Sequence, residues 1–187
     1  SVASYLENTA QDRIMAALPL SFDYGLSQIT TAFLVGATVV LHNHLLPAET
    51  VRVMARERIT GLAGVPPLWM QLTALEWPEA IGEHLRYFTN SGGAMPTHTL
   101  ALLRERAPRA LPYLMYGLTE AFRSTYLPPS EIDRRPTSIG KAIPNAEVMV
   151  VREDGTECDV DEPGELVHRG ALVSMGYWND EARTRER

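Results

Sequence analysis

The sequence predicts an α/β protein: a parallel-sheet α/β subdomain followed by part of a small β-barrel. Three observations carry this. Short apolar, β-branched runs alternate with segments of helical spacing up to Glu120. Glycine and proline punctuate the joins between them. Beyond Glu120 the alternation stops, and strands follow one another across turns. Strands alternating with helices of about ten residues need crossover connections, and crossovers build parallel sheets. The division falls at residue 127, giving subdomains 1–127 and 128–187.

Residues 13–18 read as a strand halted by Pro19. Residues 23–35 carry apolar side chains at helical spacing, with Asp23 placed as an N-cap and Gly36 as the closing residue. Residues 38–41 form a short β-branched strand. Residues 47–58 form a helix with Pro47 and Glu49 in its first turn. Residues 61–65 read as a buried strand, and 66–75 as a helix opened by proline. A strand over 86–90 runs into Ser91-Gly92-Gly93, a helix covers 96–106, and a strand covers 111–116. Later strands are expected over 122–127, 147–151 and 164–167, with turns at Asp154-Gly155 and Pro163-Gly164.

The chain has 187 residues, 45% of them apolar, enough to pack a core. Its formal charge of −6 is spread without a basic patch, which argues against nucleic acid and anionic membrane as partners. Its longest apolar stretch, 29–41, contains Thr30, Thr31, Gly36 and Thr38 and is too short to span a bilayer. No signal peptide is legible. The single cysteine, Cys158, cannot form an internal disulfide, so a cytoplasmic setting is expected. Its acidic neighbours Glu157 and Asp159 argue against a nucleophilic role. His42, His44, His84, His98 and His168 show no metal-ligand grouping and receive no metal role. Both ends read as cuts through a longer protein.

Two loops carry the chemistry, Asn90-Ser91-Gly92-Gly93-Ala94-Met95-Pro96 and Tyr116-Gly117-Leu118-Thr119-Glu120. Each follows a predicted buried strand, so both belong on the ligand-binding edge of the sheet. Paired glycines let a flat ring lie against backbone. Tyr116 supplies an aromatic face, Thr119 a hydroxyl for a phosphate oxygen, and Glu120 a carboxylate for a hard cation such as magnesium. For either loop alone the plainer reading, a turn and a core tyrosine, stays open.

Together the loops resemble the adenylate-forming (AMP-binding) superfamily, which includes acyl-CoA synthetases and nonribosomal adenylation domains. Ser91–Pro96 resembles its adenine loop, and Tyr116–Glu120 its most recognisable motif. Gly164-Glu165-Leu166-Val167-His168-Arg169-Gly170, continued by Gly176-Tyr177-Trp178, is a third match. Ser138-Ile139-Gly140-Lys141 with Ile143-Pro144 is a looser fourth. Over 33–69 the general likeness is to exosortase A-associated bacterial acyl-CoA ligases.

The resemblance implies roles for Gly92, Gly93 and Ala94 beside the adenine and acyl channel, with Gly117 in the same nucleotide site. It implies that Tyr116 stacks on adenine, Thr119 contacts the α-phosphate, and Glu120 holds Mg2+. It implies ATP as co-substrate, AMP as product, and coenzyme A or a carrier-protein phosphopantetheine as acceptor of the acyl group. It also implies that the phosphate loop, the ribose-binding aspartate and the C-terminal catalytic lysine lie outside these residues, so that the piece alone is inactive.

The acid is to be read from Pro19-Leu20-Ser21-Phe22-Asp23-Tyr24-Gly25, with Asp23 and Tyr24 as the substrate-binding residues. Phe22-Asp23 resembles the pattern of amino-acid-activating domains, whose aspartate pairs with the substrate ammonium. The alternative is that Asp23 only caps a helix. Trp69 and Met70 read as core, with the acyl pocket as the alternative. The expected function is therefore activation of a small carboxylic acid for transfer to coenzyme A. Amino-acid loading of an acyl carrier protein, and a non-catalytic nucleotide-binding module, stand as rivals. Uncovered strand edges further predict self-association, with exchange of an edge strand as one route.

Overall fold

The computed structural model describes residues 1–186. Its centre is a seven-stranded sheet. Five parallel strands lie in the order β2 (Thr38–Leu41), β1 (Arg13–Ala16), β3 (Gly61–Gly64), β4 (Tyr87–Asn90) and β5 (Leu111–Tyr116). Two antiparallel strands, β6 (Thr125–Leu127) and β7 (Lys141–Ala142), extend it beyond β5. The main sheet thus reaches Ala142, past residue 127. The β-rich part that follows is a two-stranded antiparallel ladder, β8 (Ala146–Val151) with β9 (Glu165–Gly170). No strand among the described residues closes it into a barrel.

The helices are α1 (Val2–Tyr5), α2 (Asp23–Val35), α3 (Pro47–Arg56), α4 (Pro66–Thr73), α5 (Glu79–His84), α6 (Thr97–Arg106) and α7 (Glu181–Glu186). The crossovers expected from sequence are present, and α2 ends at Gly36 in the left-handed conformation. One detail is corrected. Phe22, extended at φ −95°, is the N-cap of α2, and Asp23 is its first helical residue with no capping hydrogen bond from any side chain. Asp23 can still favour the helix N-terminus as a charge, but it does not cap. β6 starts at Thr125 rather than 122 because Arg123 has φ 58°, which interrupts an extended run.

Trp69, Phe88, Leu62 and Leu72 are fully buried beneath the sheet's helical cover, and the Trp69 and Phe88 rings pack 5.6 Å apart. Met70, one residue on, is exposed. At the amino ends of the strands Asp12 is the organising group. Its carboxylate accepts bonds from Arg86 Nε and Nη2, Thr60 Oγ1, Asn8 Nδ2 and the Thr9 N–H. Arg86 also donates to the Leu6 carbonyl at 2.9 Å, tying the chain's first turn to β4. Edge strand β2 has no strand on its outer side among the described residues, and Phe33, Leu34, Leu41, Leu45 and Leu46 around it are exposed. No described helix is long and apolar enough to cross a membrane.

Candidate active site

Register brings the two motif loops together. Gly64 pairs with Asn90 and Asn90 with Leu114, so the loops after β3, β4 and β5 leave the same carboxyl edge. After β4, Asn90 Nδ2 donates to the Gly93 carbonyl at 2.9 Å, and Gly92 turns the chain at φ 75°. Few side chains tolerate that conformation, which is what the glycine supplies. After β5, Gly117 lies against the chain returning into β6; a Cβ there would sit 2.7 Å from the Arg123 nitrogen. The Thr119-Glu120 tip is closed by reciprocal backbone bonds between Leu118 and Ala121, and the Ser174 N–H donates to the Glu120 carbonyl at 2.7 Å.

Two clefts meet at Tyr116. The first, about 530 Å³, is lined by Asn90, Gly92, Gly93, Ala94, Met95, Tyr116 and Gly117, and closed by Pro136 to Ile139. The segment Ser138-Ile139, singled out in sequence only as a loose motif, is thus a wall of it. The Oδ1 of Asn90, a lining residue, is buried without a hydrogen-bond partner. The second cleft, about 270 Å³, is lined by Tyr116, Glu120, Ser124, His168, Ser174 and Tyr177 among others. The Tyr177 hydroxyl donates to Glu120 Oε1. His168 Nδ1 lies 2.9 Å from Ser124 Oγ, while its Nε2 is buried and unpartnered. Thr119 is exposed at the turn tip and lines neither cleft.

Asp23 and Tyr24 open α2. The Asp23 carboxylate is half-buried and has no hydrogen-bond or ion-pair partner among the described residues. Tyr24 is fully buried, and its hydroxyl shares a hydrogen bond with Thr89 Oγ1. Burial pushes that phenol up to about 12, against the pull of the nearby Arg123 charge. Arg123, Ser124, His168 and Tyr177 are the participants that sequence reasoning assigned no role. A visible signal was the cation set within Ala121-Phe122-Arg123-Ser124-Thr125-Tyr126-Leu127, an otherwise uncharged strand-forming run.

A further cleft of about 560 Å³, on the β1–β2 side, is lined by Leu18, Pro19, Leu20, His42, His44, Val65 and Leu68 among others. Both histidines bond Thr50 Oγ1, His42 at 2.8 Å and His44 at 2.7 Å. Burial, helped by the neighbouring His44, holds His42 below its ordinary value. No group of three metal-binding side chains occurs among the described residues.

The profile of the AMP-binding enzyme family matches residues 1–178, and the chain belongs to that family. It is 35% identical to an indoleacetate–CoA ligase of Aromatoleum aromaticum over 93% of this chain and 34% of that protein. It is 30% identical to bacitracin synthase 1 of Bacillus licheniformis over 94% of this chain and 3% of that protein. The solved structure of o-succinylbenzoate coenzyme A synthetase from Bacillus subtilis, in complex with ATP and magnesium ion, superposes with a TM-score of 0.88. That match is 28% identical and covers 99% of this chain and 38% of the other. The chain therefore spans about a third of the length of the acyl-CoA ligase relative.

Proposed function

We propose that this chain forms the nucleotide- and acid-binding part of an AMP-forming ligase. The enzyme would join a carboxylic acid to AMP, releasing pyrophosphate, and then pass the acyl group to the thiol of coenzyme A. In the first step a carboxylate oxygen bonds the α-phosphorus as the bond to pyrophosphate breaks. In the second the thiol sulfur bonds the acyl carbon, its proton is lost, and AMP leaves.

The observation that carries this is the pairing of two clefts at Tyr116, one with an orphaned buried acceptor and the other with a carboxylate. Asn90 Oδ1 suits an amino-bearing flat base, Gly92, Gly93, Ala94 and Gly117 give it room, and Tyr116 offers a ring to stack on. Glu120 supplies one carboxylate, which fits Mg2+, a cation usually held by one or two carboxylates together with substrate phosphates. When bound, Mg2+ would neutralise charge on those phosphates. Thr119, exposed beside Glu120, is the hydroxyl within this turn that could meet the α-phosphate. The chain's own task is to fix the carboxylate against the phosphorus and exclude water.

A second reading, loading of an amino acid onto a carrier protein, is favoured by one observation. Asp23 is a half-buried carboxylate with no partner among the described residues, which suits a substrate ammonium. ATP–pyrophosphate exchange on the full-length protein that carries this chain tests both, using amino acids against plain acids. Exchange with amino acids alone selects the carrier-protein reading. Exchange with plain acids alone selects the acyl-CoA ligase. No exchange, with nucleotide still bound, leaves only a binding module. The chain by itself should self-associate through the bare β2 edge and its surrounding leucines. A monomer at high concentration in sedimentation would refute that.

A further inference from the structure

Arg123 is 2% exposed, yet its Nε and Nη2 have no hydrogen-bond partner among the described residues. Nη1 reaches only Ser91 Oγ, at 3.5 Å. No carboxylate among the described residues forms an ion pair with it. Two rings hold it instead, with the guanidinium 4.1 Å from the Tyr24 centroid and 4.6 Å from that of Phe122. Burying a cation without a counter-charge is costly, and aromatic faces recover only part of that cost. The backbone adds to it, since φ is 58° at a residue with a long side chain. A cation held in this way still lacks a counter-charge, which an anionic group could supply.

Its surroundings say which ligand. Arg123 is not among the residues lining the Tyr116–Gly93 cleft proposed for the nucleotide. It touches Ser91 in the glycine loop and Tyr24 at the head of α2, next to Asp23. A Cβ placed on Gly92 would meet Val65 at 3.3 Å and Phe22 at 3.8 Å, so this loop separates the nucleotide cleft from the α2 side. Phe122, half-buried, is the less covered of the two rings on the guanidinium.

We propose that Arg123 receives a second carboxylate of the substrate acid, the one that is not activated, so that this protein selects dicarboxylic acids. The inference rests on the ligase reading above. A carboxylate would give the two orphaned nitrogens charge-assisted hydrogen bonds in the geometry a guanidinium favours. A plain monocarboxylic acid would leave the cation buried and unanswered, and that difference is the source of selectivity.

The test is ATP–pyrophosphate exchange on the full-length protein carrying this chain, with mono- and dicarboxylic acids matched in chain length, each with and without an α-amino group. The wild type should prefer dicarboxylates by about 10²-fold in kcat/KM. Arg123→Met should erase that preference, mainly through a higher KM for the dicarboxylates. Arg123→Lys should keep part of it. A wild type that prefers monocarboxylates, or treats the two series alike, overturns the inference while leaving the ligase reading intact. So does an Arg123→Met protein with unchanged melting that loses both series equally. The wild-type panel decides even where Arg123→Met fails to fold. Failure of every acid in both series would instead overturn the ligase reading, and this inference with it.

Discussion

The two edges of the central sheet handle polar groups in opposite ways. At the amino edge, Asp12 is filled by donors from Arg86, Thr60, Asn8 and the Thr9 amide, leaving Asn8 Oδ1 and, at the end of α6, Arg106 Nε without a partner among the described residues. At the carboxyl edge, Asn90 Oδ1, two nitrogens of Arg123 and His168 Nε2 are buried without a hydrogen-bond partner among the described residues. A fold that satisfies buried polar groups in one place and withholds partners in another is divided between holding itself together and holding something else. The amino edge is a clamp. The carboxyl edge gathers unpaired polar groups around Tyr116 and the glycine loop.

That contrast can be broken by substitution at either edge. The largest effect is expected from Glu120→Gln in the full-length protein, with adenylate formation falling by about 10³-fold and melting unchanged. Exchange assays beside thermal unfolding check it. Asp12→Ala should do the reverse, costing about 3 kcal/mol because it strands the partly buried Arg86 charge. Urea unfolding measures that loss, and activity per folded molecule should hold. Gly117→Ala should cost about 1–3 kcal/mol, since the new methyl must displace the Arg123 backbone. It should also weaken nucleotide binding, because it moves the Tyr116 loop.

The smallest expected effects are in pH dependence. Burial alone would push the Asp12 carboxyl up, but hydrogen bonds from Arg86, the Thr9 amide, Thr60 and Asn8 outweigh it and hold it below its ordinary 3.8. A depressed acid stabilises the fold above its unfolded value and loses that contribution as pH falls through the folded one. Stability should therefore drop below about pH 4, and the drop should vanish in Asp12→Ala. His42 is held below its ordinary 6.5 by burial and the neighbouring His44. Its contribution is present above its ordinary 6.5 and is lost as acidification protonates it, a smaller slope that His42→Gln should remove. Acid titration of the melting temperature separates the two.

Much of this was legible in the sequence because it is local. Ser91 to Pro96 and Tyr116 to Glu120 are each contiguous, and parallel pairing of β3, β4 and β5 puts any loops after those strands side by side. Alternating apolar runs located the five parallel strands for the same reason. What escaped is non-local or short. Arg123 depends on Ser91 and Tyr24, His168 on Ser124, and Tyr177 on Glu120, pairs that no spacing rule connects. Helices α1, α5 and α7 are too short to show a period. Asp23 was placed one residue off its structural role, because an aspartate before an apolar run reads the same at the cap as at the first helical residue.

The most direct test sets Glu120→Gln and Asp12→Ala side by side in the full-length protein, with ATP–pyrophosphate exchange and thermal unfolding read on both. The division of labour predicts that the first loses exchange and keeps its melting temperature, while the second loses stability and keeps exchange below its melting point. If both variants lose stability and exchange together, the two edges do not divide the work, and the site assigned to the carboxyl edge is wrong.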